Sequence, residues 1–426
     1  MKEDFLHYLW KFKKFQFLKA KTTAGEHLEI LNSGWHNTEQ SGPDFFNSKI
    51  KIGDQLWAGN VEIHIKSSDW YAHHHEKDSA YDNVILHVVW EHDVAVFRKD
   101  NSEIVTVQLK NFVAAHTLKN YKELMSASQK WINCEADFAN IDDFLLKNWM
   151  ERLYIERLEE KAKLIYALLD ASENDWEAVL FQLLAKNFGL NRNGEAFLAM
   201  ARTTPFSVIR KINEVEVLEA LFFGQVNLLQ KEIDDLYFVQ LQKEYHYLQH
   251  KFQLQPSLEQ VQFFRLRPPN FPTIRLSQLA QLFIQQKNLF SKIKSTERLE
   301  DFYELFRVET SAYWKTHYSF GKESKATSKK LSDKFIDLLI VNTIVPLKFA
   351  YQKSLGKVEV ESIFNLLSSI PAEDNSILKK FNQLRKNTAV NAFESQALLQ
   401  LKPNYCDQNK CLQCEIGASL LQRNPA

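Results

Sequence analysis

One short segment carries polar, chemically reactive side chains on an otherwise apolar pattern: GPDFFNSKIKIGDQLWAGNVEIHIKSSDW. Within it, VEIHIK places Glu62, His64 and Lys66 on one face of a β-strand, because successive strand side chains point to opposite faces. Burying these three groups costs free energy unless they bind one another or a ligand. Asp44 lies one strand and one turn upstream of Glu62, so the two carboxylates can meet at one end of a hairpin. The pattern therefore predicts a reactive site.

The chemistry expected of this pattern is metal-assisted hydrolysis. Carboxylates on two adjacent strands can hold Mg²⁺ or Mn²⁺ while leaving positions for water and a phosphate. We therefore expect Asp44 and Glu62 to be metal ligands. His64 or Lys66, which face the same way, would orient or deprotonate the attacking water. The alternative is a solvated strand face with ordinary cross-strand pairs.

A second metal chemistry is carried by histidines. The run HHHEKD supplies His73, His75 and Asp78, and His87 lies in the strand-like run VILHVVW. Together with His64 these residues could form a site of three imidazoles, or of two imidazoles and a carboxylate, for Zn²⁺, Mn²⁺ or Fe²⁺. His73 and His75 would share a face in an extended segment and diverge in a helix. His87 is expected to support the site from behind, and ordinary hydrogen-bonded histidines are the alternative.

The elements that must position these residues lie in the first 110 residues. An amphipathic helix is predicted over Glu3 to Leu18, with a further helix or ordered loop over SSDWYAHHHEKDSAYD. Strand-like runs with turn residues between them occur at residues 27–31, 46–52, 56–66, 83–93 and 103–110. The order α-β-β-β-α-β predicts an α/β sandwich around a mixed sheet.

From about Ile141 onward the pattern changes to that of helices. Apolar residues recur with a period of 3.6, and acidic and basic residues are four positions apart on the opposite face. We therefore predict an α/β domain over residues 1–115, a linker over 116–140, and an all-α domain, a helical bundle, over 141–426.

The front of the chain resembles the PD-(D/E)xK nuclease superfamily. The matching residues are Pro43-Asp44 and, eighteen residues on, Glu62-Ile63-His64. The resemblance implies a restriction-endonuclease-like sandwich that hydrolyses phosphodiester bonds in DNA or RNA, with Asp44 and Glu62 holding Mg²⁺ and Glu3 as an auxiliary acid. His64 stands where the superfamily has lysine, and Lys66 could substitute for that lysine. Two alternatives stay open: a non-catalytic protein of the same fold that binds nucleic acid or protein, and a histidine-rich Zn²⁺ or Mn²⁺ hydrolase.

The chain as a whole resembles an uncharacterised bacterial family of unknown function. The segments that carry this resemblance are SGPDF, WAGNVEIH, SSDWYAHHH, VILHVVWEHD and, near the end, CLQC. The resemblance covers essentially the full length and implies no established activity.

Three of the four cysteines are clustered. Cys406, Cys411 and Cys414 have the spacing C-x₄-C-x₂-C, which supplies three ligands of a tetrahedral thiolate site. Cys134 is the remaining cysteine. As the fourth ligand of Zn²⁺ or of an iron–sulfur cluster, it would link the two ends of the helical domain, and such a link is called a staple here. Some nucleases of the PD-(D/E)xK superfamily carry a comparable staple with a different spacing. Inert reduced thiols are the alternative.

A possible nucleic-acid contact lies in the helical half. Arg265, Arg267 and Arg275 surround a proline-rich turn with phenylalanines nearby, and arginine beside aromatic rings can clamp phosphates and stack on bases. A solvated loop is the alternative. Lys+Arg and Asp+Glu number 53 each, so no global basic field supports the contact.

Composition limits the number of domains and the cellular classes of protein to which the chain can belong. A chain of 426 residues, 45% hydrophobic and 25% charged, predicts two or three globular domains. The opening residues do not have the pattern of a signal peptide, and no run of eighteen uncharged apolar residues predicts a membrane span. Four cysteines, three of them clustered, favour a metal site in a reducing cytoplasm over a disulfide framework. The oligomeric state stays open.

Overall fold

The protein consists of two compact units. The computed structural model describes residues 1–38, 40–126 and 130–424. The first unit comprises Met1–Trp149 and Leu401–Ala426, and the second comprises Met150–Gln400. The predicted N-terminal α/β region and the helical region that follows it along the chain are confirmed.

The first unit is built on a six-stranded mixed sheet. Its strands are β1 (Leu28–Asn32), β2 (Trp35–His36), β3 (Phe45–Ile52), β4 (Gln55–Lys66), β5 (Val84–Glu91) and β6 (Thr106–Gln108). The spatial order is β1-β3-β4-β5-β6, and β2 pairs with β3. The pairs β1–β3, β2–β3 and β3–β4 are antiparallel, whereas β4–β5 and β5–β6 are parallel. A parallel pair needs a crossover, and the crossover between β4 and β5 contains helix α2 (Asp69–Ala72).

The sheet is covered on both faces. Val61 and Ile63 of β4 point into a core that includes Trp10 from helix α1 (Glu3–Lys11). The opposite face packs against a smaller apolar cluster that includes the fully buried Trp70 of α2. Glu62 and His64 alternate with the core residues of β4, so they face this second side.

Helix α1 is shorter than predicted. It ends at Lys11, and Lys13 has a left-handed backbone (φ 51°), which an α-helix cannot contain. A short 3₁₀ turn at Phe17–Lys19 follows. The aromatic residues beyond Lys11 keep the apolar pattern that suggested a longer helix, although the chain has already turned.

The start of α2 is tied to the end of β5. The hydroxyl groups of Ser67 and Ser68 donate to the Asp93 carboxylate at 2.9 and 2.8 Å, and the Ser68 N–H donates to it at 2.9 Å. Because Asp93 follows β5, these bonds fix where the crossover chain leaves the sheet.

The C-terminal segment belongs to the first unit, which differs from the predicted division of the chain. Residues 116–140, expected to be a linker, include most of helix α3 (Ala115–Leu124). The Asn120 side chain donates to the backbone carbonyls of Leu421 and Arg423, at the end of helix α18 (Glu415–Gln422). Leu421 is fully buried in the core beneath the sheet. Long-range packing of this kind leaves no local pattern in the sequence.

The second unit is mostly helical. The helices of this part of the chain are α4 (Asp143–Ala171), α5 (Trp176–Phe188), α6 (Leu190–Thr203), α7 (Phe206–Lys211), α8 (Val215–Gln225), α9 (Leu236–Phe252), α10 (Pro272–Gln285), α11 (Leu289–Ser295), α12 (Leu299–Leu305), α13 (Asp333–Leu339), α14 (Val345–Ser354), α15 (Val360–Ser368), α16 (Ser376–Leu384) and α17 (Ala392–Leu401). A two-stranded hairpin of β7 (His317–Ser319) and β8 (Lys322–Glu323) interrupts them.

One helical stretch in the described residues has the length and composition of a membrane span. It runs over Asp333–Ser354 and joins α13 to α14 through a π-helical turn at Ile340–Ile344. The mean hydropathy of its most apolar window is 1.3, and 67% of that window is buried inside the protein. Such burial is typical of a core helix of a soluble protein.

Candidate metal centre

The predicted reactive residues meet where β3, β4 and β5 lie side by side. Asp44 immediately precedes β3, and Glu62 and His64 lie in β4. His87 lies in β5, directly opposite Glu62 in the parallel register. Paired residues of neighbouring strands share a face, so the sheet itself brings these four side chains together.

The two carboxylates are neighbours, as the sequence suggested. The Asp44 N–H donates to Glu62 Oε2 at 3.1 Å, and the Ile63 N–H donates to Asp44 Oδ2 at 3.0 Å. Glu62 is 5% exposed. Burial, and then the negative charge of Asp44, raise the pKa of Glu62 to about 9. A cation beside Glu62 would remove this penalty on its charged form.

Two imidazoles approach the remaining oxygen of Glu62, and a third lies beside one of them. His75 Nε2 is 3.2 Å and His64 Nε2 is 3.5 Å from Glu62 Oε1. His64 Nε2 is also 3.1 Å from His73 Nδ1. In the part of the chain that the structure describes, His64, His73 and His75 are the group of ligand-type residues whose candidate atoms all lie within 4.8 Å of one another.

The backbone at the end of α2 aims His73 and His75 at the same point. His73 closes the helix, and His74 has a left-handed conformation with φ 61° and ψ 32°. A short 3₁₀ turn then begins at His75. The left-handed residue reverses the local chain direction, so the two flanking imidazoles converge, although they would diverge in a continued helix.

The spacing of these atoms fits a metal ion. Two ligands about 2.0–2.1 Å from a tetrahedral zinc are about 3.3–3.4 Å apart. The separations of Glu62 Oε1 from His75 and of His64 from His73 are 3.2 and 3.1 Å. His75 Nε2 is a buried nitrogen without a hydrogen-bond partner, and it lies 3.2 Å from Glu62 Oε1. The residues present therefore fit a divalent cation.

A fourth imidazole supports the cluster from within the sheet. His87 is fully buried, and its Nε2 lies 2.8 Å from His64 Nδ1. Ligand histidines usually bond through their other ring nitrogen to a second group that fixes the ring orientation. His87 occupies that position, as expected from its place on an apolar strand.

Electrostatics hold the inner histidines in the form that binds metals. Burial, followed by the charges of His75 and His73, lowers the pKa of His64 to about 3. Burial and then the neighbouring His64 lower the pKa of His87 well below its usual value. Both rings are therefore neutral at physiological pH, as a metal-bound imidazole must be.

A histidine of α1 completes the surroundings and was missed by the sequence analysis. His7 Nε2 lies 3.2 Å from Asp44 Oδ2. Burial alone lowers the pKa of His7, but the hydrogen bond and charge of Asp44, with Glu3 and Glu62, raise it overall. Glu3 and His7 are four residues apart on one face of α1, and that spacing was the available signal.

Two predicted residues lie at the margin of the cluster. Lys66 is exposed at the end of β4, opposite Glu91. Asp78 is exposed, and its side chain accepts a hydrogen bond from the Ala80 N–H at the start of a 3₁₀ turn. The structure gives Asp78 a capping role.

The three arginines of the helical half differ in exposure. Arg265 and Arg267 are exposed. Arg275 is buried, donates to Gln278 and Asn270 at 2.9 and 2.6 Å, and stacks on another side chain of the second unit. Its guanidinium is committed to internal partners, so the prediction that Arg275 contacts nucleic acid is corrected.

The four cysteines come together in the first unit. Cys134, Cys406, Cys411 and Cys414 line a single small cavity. Because the C-terminal segment belongs to this unit, the cluster joins two parts of the α/β unit rather than the two ends of a helical domain.

The comparisons assign the chain to a family. A family model described as "Protein of unknown function (DUF2851)" matches residues 3–376. The match covers most of the chain, so the protein belongs to this family, and the predicted membership in a family of unknown function is confirmed. No curated protein and no solved structure matches the chain.

Proposed function

We propose that the protein is a metal-dependent hydrolase that cleaves phosphodiester bonds in DNA or RNA. The observation that carries the proposal is the cluster of His64, His73 and His75, two of which also approach the buried Glu62 carboxylate. Three imidazole nitrogens close together beside a buried carboxylate, with His87 behind one of them, give the ligand types of a catalytic metal site that keeps a position for water.

The order of the strands supports a phosphodiester substrate. An initial helix, the antiparallel strands β1, β3 and β4 with the short strand β2, a crossover helix, and the parallel strands β5 and β6 follow one another in the first unit. This is the order implied by the resemblance to PD-(D/E)xK nucleases, so a restriction-endonuclease-like sandwich is part of the proposal. The contact between Asp44 and Glu62 also agrees with the motif of that superfamily.

The residues of the site would have two roles, as metal ligands and as a support for one ligand. His64, His73, His75 and Glu62 would hold the ion, and His87 would keep the His64 ring in its binding orientation. A divalent ion there supplies positive charge that polarises a phosphoryl oxygen and lowers the pKa of water. Three imidazoles favour Zn²⁺ or Mn²⁺ over Mg²⁺. Mn²⁺ is the ion that suits both the imidazoles and the carboxylate pair.

Proton transfer is assigned to the His7–Asp44 pair. Both side chains are partly exposed, so they can reach solvent and substrate. Asp44 raises the pKa of His7 despite its burial, which favours the protonated ring. His7 would give this proton to the leaving oxygen, and Asp44 would hold the charged ring in place.

A hydrolase of small substrates is the second candidate. The imidazole-rich ligand set favours it, because nucleases that bind Mg²⁺ rely on carboxylates. The two candidates share the metal centre and differ in substrate, so one assay panel distinguishes them.

The test is Glu62→Gln, which keeps the shape of the side chain and removes its charge. The parent is assayed with Mn²⁺, Zn²⁺ or Mg²⁺ on bis(p-nitrophenyl) phosphate, on p-nitrophenyl acetate, and on labelled single- and double-stranded DNA and RNA. We expect phosphodiester cleavage with Mn²⁺ and a loss of about 100-fold or more in Glu62→Gln. Glu91→Gln, an exposed change on β5, is the matched control and should keep full activity.

Two outcomes would contradict the proposal. Hydrolysis of the acetate ester alone would select the small-substrate hydrolase. Cleavage by Glu62→Gln at the parent rate, with an unchanged circular dichroism spectrum, would show that the cluster is not the active site.

A further inference from the structure

The four cysteines of the chain form a second constellation, separate from the histidine cluster. Cys134 lies in the segment before helix α4, and Cys406 ends a π-helical turn at Lys402–Cys406. Cys411 begins a 3₁₀ turn, and Cys414 immediately precedes α18. None is paired in a disulfide, and all four line the same cavity, whose volume is about 20 Å³. Segments separated by some 270 residues thus place every cysteine of the protein around one point.

Hydrogen-bond donors surround the sulfurs. The Asn133 side-chain N–H donates to Cys411 Sγ at 3.3 Å. The backbone N–H groups of Ile416 and Gly417 act to lower the pKa of the Cys414 thiol. Donors of this kind stabilise thiolates, which accept hydrogen bonds more strongly than neutral thiols.

The cysteines are crowded together in a buried place. Burial, and then the neighbouring cysteines, raise the pKa values of Cys134 and Cys406. A bound cation would compensate the charge of thiolates held together in this way.

We propose that Cys134, Cys406, Cys411 and Cys414 bind one structural Zn²⁺ through four thiolates. Four cysteines around one small cavity match the four ligands of a closed structural zinc site. In the described residues the four sulfurs are not packed as closely as the three imidazole nitrogens of the other site. Zinc binding would draw them to the separation of about 3.8 Å expected for tetrahedral zinc with Zn–S bonds of 2.3 Å.

The ion would join the two chain segments of the first unit. Three ligands come from residues 406–414 and the fourth from Cys134, on the other segment of that unit. Helix α18 packs closely against the turn that carries Cys411, since a Cβ at Gly417 would lie 2.0 Å from the Cys411 carbonyl oxygen. The donors, the turn and the ligands therefore form one compact module.

The first experiment uses the unmodified protein. The chain has four cysteines in all, so a titration with an organomercurial reagent reports on this site alone. A zinc indicator follows the released metal during the titration. We expect about one zinc ion to be released as the four thiols react. Because the histidine cluster also has ligands for zinc, the titration is repeated on His73→Ala/His75→Ala, which should release the same amount.

The second experiment removes ligands. Cys411→Ser/Cys414→Ser should lose the zinc that the organomercurial releases and lower the melting temperature, whereas Ser419→Ala, on α18, should change neither. Four thiols that react in the native protein without releasing zinc would overturn the proposal. Iron with inorganic sulfide and broad visible absorption in the anaerobically purified protein would overturn the assignment to zinc.

Discussion

At the scale of single residues, His87 offers the cleanest test of the metal centre. It lies 2.8 Å from His64 Nδ1, whereas the other ring nitrogen of His64 lies near Glu62. We predict that His87→Phe, which keeps a buried aromatic ring, weakens metal binding about 10- to 100-fold, because the His64 ring loses its orienting partner. Competition with a chelator of known affinity measures this change.

The control for His87 lies on the same strand face. Lys66→Met changes a residue that points the same way in β4 but is exposed. It should leave metal affinity unchanged. Equal affinities for His87→Phe and the parent would contradict the supporting role of His87. Loss of hydrolysis in Lys66→Met with normal metal binding would restore Lys66 as the group that activates water.

The placement of several site residues could be predicted from the sequence, because strand alternation is a local rule. Alternation placed Glu62 and His64 on one face, and the apolar run around His87 indicated the neighbouring strand. His7 could not be placed, because its contact with Asp44 depends on how α1 packs against the sheet. The burial of Arg275 could not be predicted either, since an arginine near prolines and aromatic residues is typical of an exposed loop.

At the scale of elements, a prediction concerns His74, the left-handed residue between the proposed ligands His73 and His75. A β-branched side chain at His74, with φ 61°, crowds the backbone more than histidine does. We predict that His74→Val lowers stability by about 1–2 kcal/mol and also weakens metal binding, because relaxing the turn separates His73 from His75. His74→Gly should keep both properties, since glycine accepts this conformation.

A matched control exists in the second unit. Gln253 ends α9 with a similar left-handed backbone, φ 52° and ψ 42°. Gln253→Val should lose similar stability and keep full metal affinity. Denaturant unfolding and chelator competition on the three variants separate the two effects. If His74→Val binds metal as tightly as the parent, the turn does not position the ligands.

The strands were largely predictable and the turn was not. The runs at residues 46–52 and 56–66 match β3 and β4 closely, because half-buried strands show alternation. The three consecutive histidines gave no indication of which one takes the left-handed conformation. Local sequence identified the proposed ligands, whereas the backbone that aims them required the structure.

At the scale of the whole molecule, the C-terminal segment should be essential to the first unit. Leu412 and Leu421 are buried in the core beneath the sheet. Removing each leucine should cost at least about 2 kcal/mol. We predict that a chain truncated after Gln400 loses the folded sheet and keeps the helices of the second unit.

Hydrogen exchange followed by mass spectrometry checks this prediction. Peptides from β3 to β5 should lose protection in the truncated chain, and peptides from α5 should keep it. Removal of residues 425 and 426 alone is the control and should change neither. Protection of β4 in the longer truncation would show that the sheet folds without the C-terminal segment.

The division of the chain could not be predicted because no local signal marks it. The helical period continues through α17 into α18, so the sequence shows one helical region up to its end. The contacts of Asn120 with the end of α18 depend on residues about 300 positions apart. Burial against the sheet, and not helix propensity, decides to which unit α18 belongs.

Because the first unit consists of two separate chain segments, its parts are synthesised at different times. Met1–Trp149 leaves the ribosome before Leu412, Leu421 and the clustered cysteines exist. At about 5–20 residues per second, synthesis of Met150–Gln400 delays their arrival by about 12–50 seconds. During that interval the apolar underside of the sheet lacks two of its leucines, and Cys134 has no cysteine to meet. The nascent chain is therefore a substrate for chaperones for longer than its finished structure suggests, and its first-made unit is the last to be completed.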